Sequence, residues 1–124
     1  MGLNFVLDTN AVIYLQQGVL ADPLPVGRYF VSVITEIELL SFPTLTPEQL
    51  DPLRALIDDL TVVPIDPGVK DAAVKLRRAH RLRVPDAIVA GTAVALDAEL
   101  LSNDVKLQTL PELRCRSLAL TANP

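Results

Sequence analysis

The sequence predicts an α/β protein, a three-layer α/β/α sandwich in which helices cover both faces of a central, mainly parallel sheet. Short apolar runs typical of buried strands recur along the chain, and a segment with helical spacing of apolar residues follows nearly every one. Strands that alternate with helices in this way are typical of parallel strand–helix–strand units. The length of 124 residues fits one domain, so we predict a single domain over residues 1–124.

The opening of the chain is predicted to be a buried strand that turns into a helix. Residues 3–7 (LNFVL) are a short apolar run, and a helical pattern covers 11–17 until Gly18 ends it. Two prolines and a glycine make residues 19–27 a loop. The aromatic and β-branched residues of 28–33 (RYFVSV) then predict the second strand.

The middle of the chain supplies two helices and a third strand. Residues 35–42 carry apolar side chains at helical spacing. Thr46, which precedes a proline, is a helix start signal, and we expect that helix to reach about Leu60. Residues 61–65 (TVVPI) predict a strand, and Pro64 places this strand at an edge or at its own end.

The last part of the chain contains the most apolar helix. Asp66 and the following proline start a long amphipathic helix. Residues 87–96 are apolar nearly all round, and their small side chains would let the backbone lie close against the sheet. Residues 99–102 predict a fourth strand, which a short helix after Asp104 follows, and residues 113–120 predict a final strand.

Composition limits the classes of function. The net charge of −4 argues against nonspecific binding of nucleic acid, and a hydrophobic content of 50% suggests that a partner chain covers some apolar surface. The single cysteine, Cys115, excludes an internal disulfide and fits a reducing compartment. The sequence shows no signal peptide and no apolar stretch long enough for a membrane span, so we expect a cytoplasmic protein.

Four acids follow strands or begin helices, and each has an ordinary local role. Asp8 and Asp104 can cap helices, Glu38 can complete a capping box with Thr35, and Asp86 complements a helix dipole. If the strands are parallel, however, these junctions face one crevice at the carboxyl edge of the sheet. Crowded carboxylates repel one another, and a hard cation such as Mg²⁺ or Mn²⁺ relieves that repulsion.

The four junctions resemble those of a known family. The segments FVLDTN, VSVITEIELL, VPDAIVAGTAVAL and LLSNDVKL are similar, in the same order and at similar spacing, to those of PIN-domain ribonucleases, specifically the small VapC-type toxins of bacterial and archaeal toxin–antitoxin pairs. The resemblance implies catalytic and metal-binding roles for four acids, which are Asp8, Glu38, Asp86 and Asp104. It also implies supporting roles for three polar residues, which are Asn10, Thr35 and Ser102.

The resemblance further implies a function. It predicts an Mg²⁺- or Mn²⁺-dependent endoribonuclease that hydrolyses RNA phosphodiesters and leaves a 3′-hydroxyl and a 5′-phosphate. It also implies a homodimer and a small cognate antitoxin whose tail lies across the acidic crevice. The apolar segment from Val12 to Leu24 is a candidate docking surface for that antitoxin.

Basic residues indicate how an acidic protein could hold RNA. Six of the 11 basic residues lie between Lys70 and Arg83, and the simplest explanation is the solvated face of a helix. Arg81 and Arg83 lie just before the acid of the small-residue helix, so we expect them at the rim of the crevice, where they can bind phosphates. Lys106 is a weaker candidate for the same role. Aromatic residues are only 4% of the chain, which disfavours extensive base stacking.

Other functions remain open at this stage. The same acids would serve a PIN-like nuclease of other nucleic-acid processing, and the fold could persist as a non-catalytic module that binds a metal or a partner. A phosphoacceptor or phosphatase with Asp8 as nucleophile is disfavoured, because Asn10 occupies the usual place of a second acid and no lysine directly follows a strand.

Overall fold

A computed structural model of the protein describes residues 3–121, so the first two and last three residues of the predicted single domain lie outside the described part. The described residues form five strands: β1 (Asn4–Leu7), β2 (Arg28–Ser32), β3 (Thr61–Val63), β4 (Glu99–Leu101) and β5 (Cys115–Arg116). They also form six helices: α1 (Thr9–Gln17), α2 (Val33–Leu40), α3 (Pro47–Asp58), α4 (Pro67–His80), α5 (Val84–Ala95) and α6 (Val105–Gln108). None of these helices is long and apolar enough to cross a membrane.

The five strands form one all-parallel sheet in the order β3-β2-β1-β4-β5. The opening strand β1 is central, and Phe5 pairs with Tyr29 of β2 on one side and with Glu99 of β4 on the other. Because all strands are parallel, their carboxyl ends lie along the same edge. The predicted three-layer α/β/α sandwich is therefore confirmed.

Two hydrophobic cores cover the two faces of the sheet. Side chains alternate along each strand, so Val6 and Leu100 face one core, whereas Phe5, Leu7 and Leu101 face the other. The first core contains residues of α4, α5 and α6, and the second contains residues of α1, α2 and α3. This burial on both faces explains why β1 and β4 are almost wholly apolar in sequence.

Two predictions of local structure are wrong. The helix predicted from Thr35 begins at Val33, and Ser32 caps it by accepting a hydrogen bond from the backbone N–H of Ile34, 3.1 Å away. Thr35 is therefore inside α2, so it is not the cap of a box with Glu38. The last strand covers only Cys115–Arg116 instead of residues 113–120.

The shortness of β5 has a visible cause. The side chain of Asn103 bonds the backbone of Leu118 twice: its Nδ2 donates to the carbonyl of Leu118 at 3.0 Å, and its Oδ1 accepts from the Leu118 N–H at 2.6 Å. Beyond Arg116, this side chain satisfies backbone groups that a longer strand would have paired with β4. The tail continues to Leu120, which forms an antiparallel bridge with Leu20 in the loop after α1.

The small residues of α5 serve a helix contact as well as the sheet. A Cβ added to Gly91 would lie 2.8 Å from the backbone nitrogen of Ala73 and 3.1 Å from the carbonyl oxygen of Val69, both in α4. The expected close approach of this helix therefore exists, but its tightest point is against α4 rather than against the sheet. Gly91 is required there because no side chain fits between the two backbones.

Candidate active site

The four acids line one pocket of about 210 Å³ at the carboxyl edge of the sheet. Asp8 directly follows β1 and Asp104 follows β4, whereas Glu38 and Asp86 project from α2 and from the first turn of α5. The residues that line the pocket are Asp8, Thr9, Asn10, Glu38, Asp86, Val89, Asp104 and Leu107. Acids that are far apart in sequence thus share one pocket, while their predicted roles in metal binding and catalysis stay predictions.

Backbone amides hold two of the acids. Asp8 is the N-cap of α1, and its Oδ1 accepts a hydrogen bond from the N–H of Ala11 at 2.7 Å. Asp104 is the N-cap of α6, and its Oδ1 accepts from the N–H of Lys106 at 2.9 Å. The capping roles expected for these two acids are therefore present, and they coexist with a place in the pocket.

The pocket raises the pKa of Asp8. Asp8 is only 9% exposed, and burial is the largest cause of the rise, to which the negative charges of Asp104 and Asp86 add. The side chain of Ser102 and the N–H of Ala11 act in the opposite direction because they stabilise the carboxylate by hydrogen bonding. The balance leaves an ionised Asp8 less stable here than in water.

Asp86 shows the same crowding with cations nearby. Its pKa is raised by burial, then by the charge of Asp104, and to a smaller extent by that of Glu38. Arg83 and Lys106 oppose the rise because they stabilise the ionised form. Asp86 therefore lies where the negative pocket meets a positive rim.

The donor set of this pocket fits a hard divalent cation. Carboxylate oxygens are what Mg²⁺ and Mn²⁺ bind, and a bound cation would relieve the repulsion that raises the pKa of Asp8 and of Asp86. The side chains do not form a ready-made coordination shell: within residues 3–121, no three Asp, Glu, His or Cys side chains are arranged to hold one ion. Loading the pocket therefore requires these carboxylates to turn towards one another.

The three predicted supporting residues lie around the acids in different ways. Asn10 lines the pocket itself. Ser102 is fully buried, and its Oγ accepts a hydrogen bond from the N–H of Asp104 at 3.0 Å. Thr35 is also fully buried and touches the pocket only indirectly, through the hydroxyl of Thr9, 3.3 Å away.

Thr9 is the polar residue of the pocket that the sequence patterns did not single out. Its Oγ1 donates a hydrogen bond of 2.6 Å to Oε1 of Glu38. The available signal was its position directly after Asp8 at a strand end, where its side chain could reach the next strand's helix. That signal was hidden because threonine is ordinary in the first turn of a helix.

A second pocket, of about 230 Å³, adjoins the first and is positively charged. Both pockets are lined by Asp86, and the other lining residues of the second are His80, Arg81, Leu82, Arg83, Lys106, Thr109 and Leu110. In the part of the chain that the structure describes, Arg81, Arg83 and Lys106 form no ion pair. The three predicted RNA-binding residues are thus gathered beside the acids.

The backbone of Arg81 is in an uncommon conformation. Its φ of +54° lies in the left-handed region, where a residue with a Cβ is disfavoured. Arg81 is the C-cap of α4, a place where glycine or asparagine is usual. His80 is the last residue of α4, and its Nε2 lies 2.8 Å from Oε1 of Glu112.

The candidate docking segment is only partly accessible. Val12 is completely buried in the second core, so it is not available to a partner. The later part of the segment forms an open groove of about 380 Å³, lined by Leu15, Gly18, Leu20, Ala21, Asp22, Pro23 and Leu24. The docking candidate is therefore reduced to residues 15–24.

Comparison with known families identifies the fold. The sequence profile of the PIN domain matches residues 5–113, which include all four acids. The chain belongs to the PIN domain family. The resemblance seen in the four junction segments is therefore confirmed.

Solved structures with a similar fold are also found. VapBC from Salmonella typhimurium, in a DNA-bound crystal structure, is 23% identical with a TM-score of 0.79, and the match covers 93% of this chain and 98% of that one. VapBC2 from Rickettsia felis, bound to a promoter DNA fragment, is 18% identical with a TM-score of 0.78, covering 94% and 99%. A toxin–antitoxin complex from Klebsiella pneumoniae is 25% identical with a TM-score of 0.70, covering 87% and 93%. No curated protein sequence matches the chain.

Proposed function

We propose that this PIN domain is a metal-dependent endoribonuclease and the toxin of a toxin–antitoxin pair. Family membership and the VapBC complexes among its structural neighbours support a toxin nuclease role. The observation that carries the proposal is the pocket lined by four acids, which shares Asp86 with an adjoining pocket that contains Arg81, Arg83 and Lys106. Such a pair of sites suits a phosphodiester. A metal ion in the acidic pocket would polarise an oxygen of the phosphate that reacts, and the basic pocket would bind the negative charge of neighbouring phosphates.

Each acid has a proposed role. Asp8, Glu38 and Asp104 are the proposed ligands of Mg²⁺ or Mn²⁺. The bound cation would polarise a phosphate oxygen and lower the pKa of the attacking water. Asp86 is proposed to orient that water and accept its proton, because it lies between the acidic pocket and the cations that would hold the RNA strand. The alternative role for Asp86 is that of a fourth ligand of the cation.

The chemistry proposed for the pocket is hydrolysis of the bond between phosphorus and the 3′ oxygen. A water oxygen bonds to the phosphorus while the bond to the 3′ oxygen breaks, and that oxygen takes up a proton. The products are a 3′-hydroxyl and a 5′-phosphate. Arg81, Arg83 and Lys106 are proposed to hold neighbouring phosphates of the same strand, since they surround the pocket next to Asp86.

The proposed partners are an antitoxin and a second copy of the chain. The similar structure from Klebsiella pneumoniae is described as a toxin–antitoxin complex, and two others are VapBC assemblies, which supports a cognate antitoxin for this chain. The open groove of residues 15–24 is the proposed docking surface. The homodimer and a cytoplasmic location stay predictions.

A cleavage assay tests the catalytic proposal. Wild type should cut single-stranded or structured RNA in Mn²⁺ and leave it intact in chelator, and Asp104→Asn should be inactive. Glu38→Gln should lose roughly 100-fold or more of the activity. Glu36→Gln is the matched control, because Glu36 belongs to the same helix but does not line the pocket.

The outcomes separate the proposal from its rivals. Equal loss in Glu36→Gln and Glu38→Gln would contradict the assigned pocket. Cleavage of DNA in preference to RNA would favour a PIN nuclease of another pathway. A wild-type protein that binds Mn²⁺ but cuts neither polymer would be a non-catalytic module.

A further inference from the structure

Glu38 is held differently from the other two proposed ligands. Asp8 and Asp104 are both fixed by a backbone N–H of the helix that they cap. Glu38 lies in the second half of α2, where it caps nothing, and its side chain is exposed. A long, exposed carboxylate has many accessible rotamers, so something must restrict it if it is to face the pocket reproducibly.

The hydroxyl of Thr9 supplies that restriction. Its Oγ1 lies 2.6 Å from Oε1 of Glu38, the length of a hydrogen bond to a charged acceptor. The bond links the first turn of α1 to α2, two elements that follow neighbouring strands of the sheet. Within residues 3–121, Oε2 of Glu38 accepts no hydrogen bond, so one oxygen is held and the other is available.

The hydroxyl of Thr9 has two oxygen neighbours. Its Oγ1 donates a hydrogen bond to Oε1 of Glu38. The Oγ1 of Thr35 lies 3.3 Å from the same Oγ1 of Thr9, within hydrogen-bond distance. Thr35 is completely buried, so this arrangement also satisfies a hydroxyl that water cannot reach.

We propose that Thr9, oriented by the buried Thr35, is the positioning residue that holds Glu38 ready to bind the divalent cation. The inference rests on the proposed function in one respect, the assignment of Glu38 as a ligand. It adds that Thr9, which directly follows Asp8, fixes the position of the Glu38 carboxylate. Thr9 itself binds neither the cation nor RNA in this scheme.

Titration of the metal-free protein with Mn²⁺, followed by the electron paramagnetic resonance of the free ion, tests the inference without any RNA. Thr9→Val keeps the branched shape and removes the hydroxyl, so the Kd for Mn²⁺ should rise about tenfold. Thr9→Ser keeps the hydroxyl and should stay within about twofold of wild type. Thr35→Val should weaken binding less than Thr9→Val, because it removes only the support of the bond.

Thr92→Val is the matched control. Its hydroxyl is also buried, but it donates to the carbonyl of Ile88 inside α5 and does not line the pocket, so Mn²⁺ affinity should be unchanged. Melting curves report whether each variant is folded, and Thr9→Ala replaces Thr9→Val if the latter does not fold. In chelator, Thr9→Val should bind RNA like wild type.

Each contrary result has a distinct meaning. Wild-type Mn²⁺ affinity in Thr9→Val, or equal weakening in Thr9→Ser and Thr9→Val, would overturn the inference and leave the proposed function standing. If Thr9→Val weakens Mn²⁺ binding as expected but the wild-type protein cuts no RNA, the inference stands and the proposed function is overturned. A wild-type protein that does not bind Mn²⁺ would overturn both.

Discussion

Gly91 of α5 lies against Ala73 of α4 with no room for a single additional carbon. Because a Cβ on Gly91 would lie 2.8 Å from a backbone nitrogen, Gly91→Ala requires the two helices to move apart. We expect the free energy of unfolding to fall by about 2 kcal/mol, as for other overpacked sites. Urea denaturation at fixed pH measures this change.

Gly68→Ala is the matched control for that prediction. Gly68 is exposed in the first turn of α4, and its nearest non-neighbouring atom would lie 3.4 Å from an added Cβ. Alanine forms helices better than glycine, so this variant should gain about 0.5 to 1 kcal/mol. The same substitution should thus have opposite signs at two glycines, and a gain at Gly91 would contradict the tight helix contact.

Asp8→Asn should stabilise the metal-free protein at neutral pH. Asparagine still caps α1, and the variant removes a buried charge whose pKa the pocket raises. Because the folded-state pKa exceeds the ordinary value of 3.8, the stability contributed by the protonated acid is lost as the pH rises through that raised pKa. Melts in chelator should therefore show a gain of a few degrees at pH 7 that shrinks as the pH falls towards 3.8.

Adding Mn²⁺ should reverse the order of these melts. The wild type should gain stability from the cation, whereas Asp8→Asn should gain much less because a proposed ligand has been removed. Asp66→Asn is the control, since Asp66 caps α4 by accepting from Val69 at 2.8 Å but lies outside the pocket. A lower melt of Asp8→Asn in chelator, with an unchanged response to Mn²⁺, would mean that Asp8 is only a cap.

Arg81→Asn should raise stability and lower RNA affinity at the same time. Asparagine tolerates the left-handed backbone of Arg81, so the free energy of unfolding should increase by about 0.5 to 1 kcal/mol. Loss of one phosphate contact should weaken RNA binding in chelator and reduce its salt dependence by about one unit in log–log slope. Fluorescence anisotropy at several salt concentrations measures both.

The exposed Arg78 of α4 provides the comparison for Arg81. Arg78→Gln removes a charge from the same helix but lies outside both pockets, so the affinity for RNA should change little. Equal effects of the two variants would indicate that only net charge matters. In that case the basic pocket would have no particular role.

Cys115 should react slowly with thiol reagents in the native protein. Burial, together with the negative charges of Asp8, Glu99 and Asp104, raises the pKa of its thiol from 9.0 to about 11. At neutral pH the thiolate fraction is then about 100-fold lower than in the unfolded chain. Reaction with a chromogenic disulfide should accelerate by that factor in denaturant, and a fast native reaction would contradict the burial of the sulfur beside the acids.

Much of the fold was predictable because strand and helix signals here are strong and local. The apolar run of β1, the loop after Gly18 and the Thr46 capping box all have the predicted structure. The two errors have different causes. Ser32 caps α2 in place of Thr35 through a local bond to Ile34, so the sequence offered two possible cap residues. The side chain of Asn103 takes the backbone partners that would have extended β5, a tertiary contact that no local pattern reveals.

The sequence predicted which acids line the pocket, but it did not predict the contacts that position them. Parallel strands must bring their carboxyl ends together, so the convergence of Asp8, Glu38, Asp86 and Asp104 on one edge followed from topology. The bond from Thr9 to Glu38 depends on the distance between α1 and α2, which sequence spacing does not specify. The left-handed backbone of Arg81 was equally invisible, since nothing in a sequence shows φ.

The central position of β1 also affects how translation makes the protein. One neighbour of the strand, β2, follows it closely in sequence, but its other neighbour is β4, and Asp104 follows β4 near the far end of the chain. A nascent chain on the ribosome therefore lacks Asp104 and Leu107 of the acidic pocket until almost all of it has been made. The order of synthesis by itself delays completion of the acidic pocket.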